Sequence, residues 1–313
     1  MIKKNIVVLG GSGFVGRRLI TQLAAEGHCV KLLSRNLAAH SDRLLPPDVM
    51  LHRVDVHDAA QLRAAIAGND VVINLVGILN ESGDDGGGFR KVHVTLTQNV
   101  IAACEMTGVR RLLQMSSLNA GRGESHYLKS RGEAEAAVKA SSLDWTILEP
   151  SVIFGPGDGL FCRFAALLKT LPVMPLACAD TKFAPVHIND VVAAFIKCLD
   201  DPRTIGEVYE LYGPEVYTLR EIVKMTARQL GLFRVVVPLP DFIGRVQGLA
   251  CDLIPGKPFS SDNFRSLQTD SVGGIDGLHR LGITPGHVSR LLPDILGHAE
   301  DKQARLARYR AMR

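Results

Sequence analysis

The sequence predicts an α/β fold: a doubly wound parallel sheet followed by a smaller C-terminal α/β domain. Three observations carry this. Short runs rich in Val, Ile and Leu alternate with amphipathic helical patterns through the first half. A glycine cluster joins the first run to the first helix. After Pro150 the rhythm changes to turn-rich stretches and a second, shorter α/β unit. Strand–helix alternation favours a parallel sheet covered on both faces, because each crossover lays a helix over the strands.

The strands are expected at "NIVVLG" (5–10), "CVKLLS" (29–34), "VMLHRVD" (49–55), "DVVINLVG" (70–77), "RRLLQMSS" (110–117) and "LDWTILEP" (143–150). Each is β-branched or Leu-rich and ends in Gly, Ser, Asp or Pro. Residues 14–26 and 89–107 carry helical periodicity. "ESGDDGGGF" (81–89) reads as a mobile loop. "FAPVHINDVVAAFIKCL" (183–199) reads as one more strand–helix return to the sheet. "EVYELYG", "TLREIVKMTARQLG" and "RVVVPLP" make up the smaller unit, and 240–285 looks irregular. The expected division is a nucleotide domain over 1–154, to which 183–200 returns, and a substrate or partner domain over 155–313.

The composition excludes several classes. With 313 residues, 46% apolar and 22% charged, the chain has material for one large or two modest domains. A net charge of +4 spread along the chain gives no nucleic-acid footprint. The six cysteines (Cys29, Cys104, Cys162, Cys178, Cys198, Cys251) show no C-x-x-C and no regular spacing, so reduced thiols in a cytoplasmic-side compartment are expected. The ten histidines show no ligand spacing, so no metal site is expected. The N-terminal apolar run is short and broken by glycines, unlike a secretory signal, and no stretch reaches 18 uninterrupted apolar residues.

"LGGSGFVG" follows the first strand and opens a helix. It satisfies G-x-G-x-x-G at Gly11, Gly13 and Gly16, and G-x-x-G-x-x-G at Gly10, Gly13 and Gly16. Such a loop turns tightly, lets backbone N–H groups approach a pyrophosphate, and aims a helix N-terminus at it. Gly10, Gly11, Ser12, Gly13, Phe14, Val15 and Gly16 are therefore candidate nucleotide contacts in a Rossmann-type domain. The second strand ends in Ser34 and Arg35, where an NAD site carries Asp or Glu for the ribose 2′-hydroxyl. A guanidinium beside a hydroxyl suits a 2′-phosphate, so NADP(H) is favoured over NAD(H). Asp55 is placed to accept from the adenine amino group, with the Val56 N–H on the ring; a turn role is the alternative for Asp55. Leu75, Val76 and Gly77, closing the fourth strand, would flank the ribose nearest the pyrophosphate.

These motifs, with "LQMSS", Tyr127, "EPSVIFGPGD" and "VHINDVVAAF" in the same order, resemble the extended and atypical short-chain dehydrogenases/reductases over roughly residues 4–235. "VINLVGIL" and "PFSSDNFRSLQTDSV…LHRLGITP" look like the dinucleotide-binding accessory subunit of respiratory complex I and its bacterial relatives. The resemblance implies a mechanism. A tyrosine moves a proton at a carbonyl or alcohol while nicotinamide moves hydride. A lysine four residues on lowers the tyrosine pKa and holds the ribose, and a serine or threonine steadies the substrate oxygen.

Tyr127 matches the tyrosine, but Arg131 stands where the lysine belongs, and Lys129 at i+2 points away. Arg131 keeps the positive field in a bulkier, planar form. Ser116 and Ser117 follow the fifth strand; many extended members place the hydroxyl one residue later, at Leu118 here. Ser117 serves if the strand end is shifted; otherwise both serines terminate the strand and touch cofactor. The expected catalytic set is Tyr127, Arg131 and Ser117, with Ser116, Tyr127, Arg131, Pro150 and Val152 around the nicotinamide. Asp190 reads as a helix N-terminal charge.

Phe154, Phe161, Phe164, Phe183 and Val186 are pocket candidates, although core is the simpler role for most. A largely apolar pocket points to a lipid-like or quinone-like substrate. Residues 239–259 carry an apolar stripe that would cover the pocket or face a partner. The tail "EDKQARLARYRAMR" (300–313) is a basic helix candidate for an anionic membrane surface or an acidic protein. Three functions are compatible with this reading: an NADPH-dependent oxidoreductase, a non-catalytic NADPH-holding accessory protein of a respiratory complex at the inner face of its membrane, and an NADP(H) redox sensor.

Overall fold

The structure is a computed structural model that describes residues 2–35, 46–254, 257 and 259–297. Seven parallel strands form the main sheet: β1 (Asn5–Leu9), β2 (Cys29–Ser34), β3 (Val49–Arg53), β4 (Val71–Asn74), β5 (Arg111–Met115), β6 (Asp144–Pro150) and, further along the chain, Glu207–Leu211. The spatial order is Glu207–Leu211, β6, β5, β4, β1, β2, β3. The order reverses between β1 and β4, and in such sheets the crevice for ligands opens at the carboxyl ends of those strands. β1 and β4 are central and bury nearly every residue. They therefore read as continuous apolar runs rather than alternating ones.

Helices cover both faces: α1 (Phe14–Ala25) and α2 (Ala59–Ile66), then a helical stretch over 87–107, then α5 (His126–Lys139). The stretch consists of α3 (Gly87–Phe89), a π-helical turn at Arg90–Thr95, and α4 (Leu96–Thr107). One core packs Leu19, Leu23 and Phe195 against the β1 face that carries Ile6 and Val8. The other packs Leu62, Ile66, Val100 and Val138 against Val7, Val72 and Ile147.

Beyond β6 the chain adds β7 (Ile153–Phe154), α6 (Phe161–Thr170), β8 (Val173–Leu176), β9 (Lys182–Phe183), β10 (Val186–His187) and α7 (Ile188–Asp200). The strand Glu207–Leu211 is β11, followed by β12 (Tyr217–Thr218), α8 (Leu219–Gln229) and β13 (Val235–Pro238). Then come α9 (Asp241–Asp252), α10 (Ser261–Ser266), α11 (Gly277–Arg280) and α12 (Val288–Leu296). α6, α8 and α12 share a third core with Phe154, Phe161, Ile222, Val223 and Leu292.

The structure corrects several expectations. β11 belongs to the main sheet, paired with β6, and not to the smaller unit. Conversely, β10 pairs with β7 outside that sheet; only α7 returns, packing its apolar face with α1 and the sheet. Residues 240–285 hold three helices. The apolar period of α9 is broken by Gly244 and Gly248, which abut Phe264 and the Ser261 backbone, and this disguised it. The loop 81–89 is tied down: the buried Glu81 carboxylate accepts from the N–H groups of Gly86 (2.7 Å), Gly88 (2.7 Å) and Phe89 (3.2 Å), capping the helical stretch that follows. The tail 300–313 lies outside the described residues. No helix among the described residues is long and apolar enough to cross a membrane.

Candidate cofactor and active site

The glycine loop occupies the switch point. Gly10 adopts φ +75°, and a Cβ there would sit 2.9 Å from the Leu75 carbonyl carbon and the Val76 nitrogen. A Cβ on Gly16 would sit 2.4 Å from Gly11 Cα and 2.5 Å from Gly10 O. Gly10 and Gly16 are thus the positions that demand glycine, while a Cβ on Gly13 would lie 3.2 Å from Gly10 O. Gly11 instead packs under Leu32. Gly13 is the N-cap of α1, with no side-chain cap and no acid in the first turn. The positive end of the helix is left for an external anion.

Gly10, Gly13, Phe14, Val15, Gly16, Leu75, Gly77, Ser116, Ser117, Tyr127, Arg131, Pro150 and Val152 line one cleft of about 590 Å³. Ser12 and Val76 adjoin it, and Val76 O accepts from Arg131 (3.4 Å). Ser34 closes β2, and Arg35, Asp55 and Val56 follow the carboxyl ends of β2 and β3; none of the four lines this cleft. Val56 is buried in the core. Asp55 Oδ1 accepts from the His57 N–H (3.1 Å), the turn role. His57 feels both Lys91 and Arg35, and burial with these two charges lowers its pKa against a weaker pull from Asp55. Lys91 and Arg35 thus bring positive charge to the neighbourhood of His57.

At the other end, α5 brings Tyr127 and Arg131 onto one face. The Arg131 guanidinium carbon lies 5.6 Å from the Tyr127 ring centroid, and its NH1 donates to Met115 O (3.2 Å). Arg131 is buried, and its Nε has no partner. The guanidinium fits because position 77 is glycine: a Cβ there would lie 2.0 Å from NH2. Lys129 is exposed and pairs with Glu124 (2.9 Å), on the opposite side as its spacing requires. The Ser117 hydroxyl, on a residue 9% exposed, has no partner and lines the cleft. An orphan buried hydroxyl costs about 1–3 kcal/mol, so the site is built for a ligand oxygen. Leu118 lines the cleft beside it. The Ser116 hydroxyl instead donates to Glu135 (2.5 Å).

Four residues around Tyr127 escaped sequence reasoning. Phe89 and His93 stand edge-on to its ring, with centroids 6.0 and 5.6 Å away. Ile78 N–H donates to His93 Nε2 (3.2 Å), which leaves Nδ1 as the protonated nitrogen, 2.8 Å from Ser130 Oγ. Ser130 in turn donates to Tyr127 O (2.9 Å). Burial, helped by the Arg131 charge, depresses the His93 pKa to about 2, so the ring stays neutral. The π-helical turn that carries His93 has one available signal: a histidine four residues after Phe89 on the apolar face. Asp262, from α10, accepts from His126 N (2.7 Å) and Tyr127 N (3.1 Å) and so caps α5 from outside.

The outer wall consists of Leu79, Leu118, Val152, Leu160, Phe183 and Leu267. Of the five expected pocket residues only Phe183 is among them. Phe154, Phe161 and Val186 are fully buried, and Phe164 packs in the third core. Asp190 starts α7 and accepts from Gly286 N (2.8 Å). The six cysteines are free thiols.

The residues fit a nicotinamide dinucleotide. Gly10 and Gly16 leave no room for a Cβ, the α1 terminus lacks an internal anion, and two orphan polar atoms, Ser117 Oγ and Arg131 Nε, belong to residues that line the cleft. Comparisons agree. The family described as NAD(P)H-binding matches residues 10–159. The chain is 29% identical over 282 residues to the NADH dehydrogenase [ubiquinone] 1 alpha subcomplex subunit 9, mitochondrial, of Arabidopsis thaliana, covering 85% of this chain and 70% of that one. It is 26% identical over 238 residues to the ceramide reductase of Caulobacter vibrioides, covering 75% and 74%. A dTDP-glucose 4,6-dehydratase from Streptomyces venezuelae, solved with NAD, superposes with a TM-score of 0.73 at 20% identity, covering 93% and 95%. Residues 10–159 thus match the NAD(P)H-binding family on a Rossmann-type sheet, and the fold over 93% of the chain is the one that the dehydratase has.

Proposed function

We propose that the chain is an NADP(H)-dependent oxidoreductase acting on an uncharged, largely apolar carbonyl or quinone-related substrate. The observation that carries this is the convergence of Tyr127, Arg131 and the orphan Ser117 hydroxyl on a cleft whose outer wall is aliphatic. When bound, the nicotinamide supplies or accepts the hydride. Ser117 Oγ donates to the substrate oxygen. Tyr127 Oη gives that oxygen its proton in reduction and takes it back in oxidation. Arg131 places its positive charge beside the Tyr127 ring, and its fork, fixed by Met115 O and Val76 O, would hold the nicotinamide ribose. The outer wall favours a ring or acyl chain over a sugar nucleotide, which would call for further cationic clamps. Arg35, with Lys91 and His57 near it, favours a 2′-phosphate and hence NADP(H).

The test begins with nucleotide released from the purified protein and identified by mass. NADPH is then offered with hydrophobic ketones and quinones while its absorbance is followed. Oxidation that Tyr127→Phe abolishes is the expected result. Tight NADPH binding with no oxidation of any acceptor would overturn the catalytic reading.

A second reading, an NADPH-holding accessory subunit at the face of a respiratory membrane, is favoured by arginine at the lysine position and by the relatives that are complex I subunits. Under it, Tyr127→Phe leaves NADPH affinity unchanged, and the protein co-purifies with respiratory subunits. A redox sensor would instead require unequal affinities for NADP+ and NADPH.

A further inference from the structure

Arg131 leaves a gap in the chemistry proposed above. A lysine ammonium can hand on a proton; a guanidinium does not give one up near neutral pH. Each reduction removes a proton from Tyr127, and that proton has to be restored.

One cleft residue leads to a buried acid. Ser116 lines the cleft, and its hydroxyl bonds Glu135 Oε1 at 2.5 Å. Glu135 is 5% exposed on α5. Its carboxyl lies within hydrogen-bonding reach of Glu149 on β6. Two carboxylates so placed cannot both be ionised cheaply, and a proton between them resolves the conflict. The charged groups facing the pair are Lys139, whose Nζ is 2.9 Å from Glu135 Oε2, and Glu210, paired in register with Glu149 on β11. Lys139 reaches solvent, with its side chain 44% exposed. Burial first, then the Glu135 charge, pushes Glu149 up to about 8. Next to Ser116, the orphan Ser117 hydroxyl marks the same stretch of wall as a ligand surface.

We infer that Glu135 and Glu149 form a carboxyl pair that holds one shared proton and exchanges it with the cleft through the Ser116 hydroxyl. In the reductive direction, the substrate carbon gains a hydride from the reduced nicotinamide, and the C=O π electrons move onto oxygen. That oxygen takes the Tyr127 proton. The phenolate regains a proton from the pair by way of Ser116. The pair, left with two negative charges, is reloaded from solvent past Lys139. This rests on the oxidoreductase reading for its purpose, but the stored proton is measurable without turnover.

The first experiment is infrared difference spectroscopy of the nucleotide-free protein across a pH titration. A protonated-carboxyl carbonyl stretch that persists at neutral pH, and that Glu149→Gln removes, is expected. Its absence overturns the proposal. The second is calorimetry of NADP+ binding in two buffers of different ionisation enthalpy. Bringing the positive charge of NADP+ into the cleft that Ser116 lines should expel the proton, and Ser116→Ala and Glu149→Gln should each abolish the release. If Ser116→Ala leaves the release intact, the route to the cleft is overturned while the pair stands. In turnover, Glu149→Gln should lower kcat by at least about tenfold with KM unchanged. Wild-type turnover with an unaltered Glu149→Gln pH profile overturns the relay alone. A stored, expelled proton without turnover overturns the oxidoreductase reading alone.

Discussion

Arg131 is held between two demands. Its guanidinium is buried against the face of Tyr127, and two backbone carbonyls, Met115 O and Val76 O, accept from it. Only one side of the planar fork is satisfied, because Nε has no partner. Replacing it by methionine keeps the volume and removes the charge. A charge-assisted hydrogen bond is worth about 1.5–3 kcal/mol, so Arg131→Met should weaken NADPH binding roughly 10- to 150-fold by fluorescence titration. Lysine at 131 should retain most of the affinity, since Gly77 leaves more room than lysine needs. At this scale the sequence was informative where chemistry comes from residue type. It singled out Gly10, Tyr127, Arg131 and Ser117, which the fold brings to one cleft. It was silent on His93 and Asp262, because their roles depend on a π-helical turn and on a contact across 136 residues. It left the phenylalanines open between pocket and core, with core the simpler role for most, because apolarity alone does not separate a cleft wall from a core; Phe154 and Phe161 are core and Phe183 lines the cleft.

The first turn of α5 is secured from two directions. Ser125 Oγ accepts from Leu128 N (3.1 Å), and Asp262, 3% exposed, accepts from His126 N and Tyr127 N. The helix that carries Tyr127 is thus locked by a residue of the C-terminal region. Asp262→Ala leaves two N–H groups without an acceptor and leaves Arg265 with Asp84 alone. The expected cost is about 1–3 kcal/mol, seen as a lower denaturant midpoint with an unchanged m-value. Glu81 works in the same way for the stretch that begins at Gly87, which is why a glycine- and aspartate-rich loop holds one conformation. Strands and long helices were legible because burial imposes a period. Caps of this kind were not, because one acid far away in sequence decides them. β11 was misplaced for a related reason: its pairing with β6 is set by the crossover of α7, and "EVYELYG" carries no mark of which sheet it joins.

For the whole molecule, buried His93 and half-buried Glu149 bend the stability profile in opposite senses. His93 is held neutral, with its folded pKa near 2 against 6.5 for a free histidine. Below pH 6.5 the unfolded chain binds a proton that the folded chain refuses, so this contribution falls as pH drops towards 2. Glu149 is the reverse, with a folded value near 8 against 4.5. The folded chain keeps a proton that the unfolded chain loses, so stability from this group falls as pH rises from 4.5 to 8. Together they set a maximum on the acid side of neutrality. Chemical denaturation at a series of pH values should show it. Glu149→Gln should flatten the decline between 6.5 and 8, and His93→Gln the decline below 4.5. A wild-type curve that climbs from 6.5 to 8 would contradict the Glu149 assignment.

The glycines of α9 have one more effect. Gly244 and Gly248 turn inward, so Phe242, Val246, Leu249 and Leu253 face water, 60–88% exposed. Solvatochromic dyes fluoresce on such surfaces, which is ordinarily the signature of a loosened protein. This protein should light them while fully native, and Val246→Glu with Leu249→Glu should dim the signal without shifting the melting temperature. Dye-based thermal screening for ligands will start from a high baseline, so the half-buried Trp145 on β6, the chain's single tryptophan, becomes the natural intrinsic reporter of unfolding.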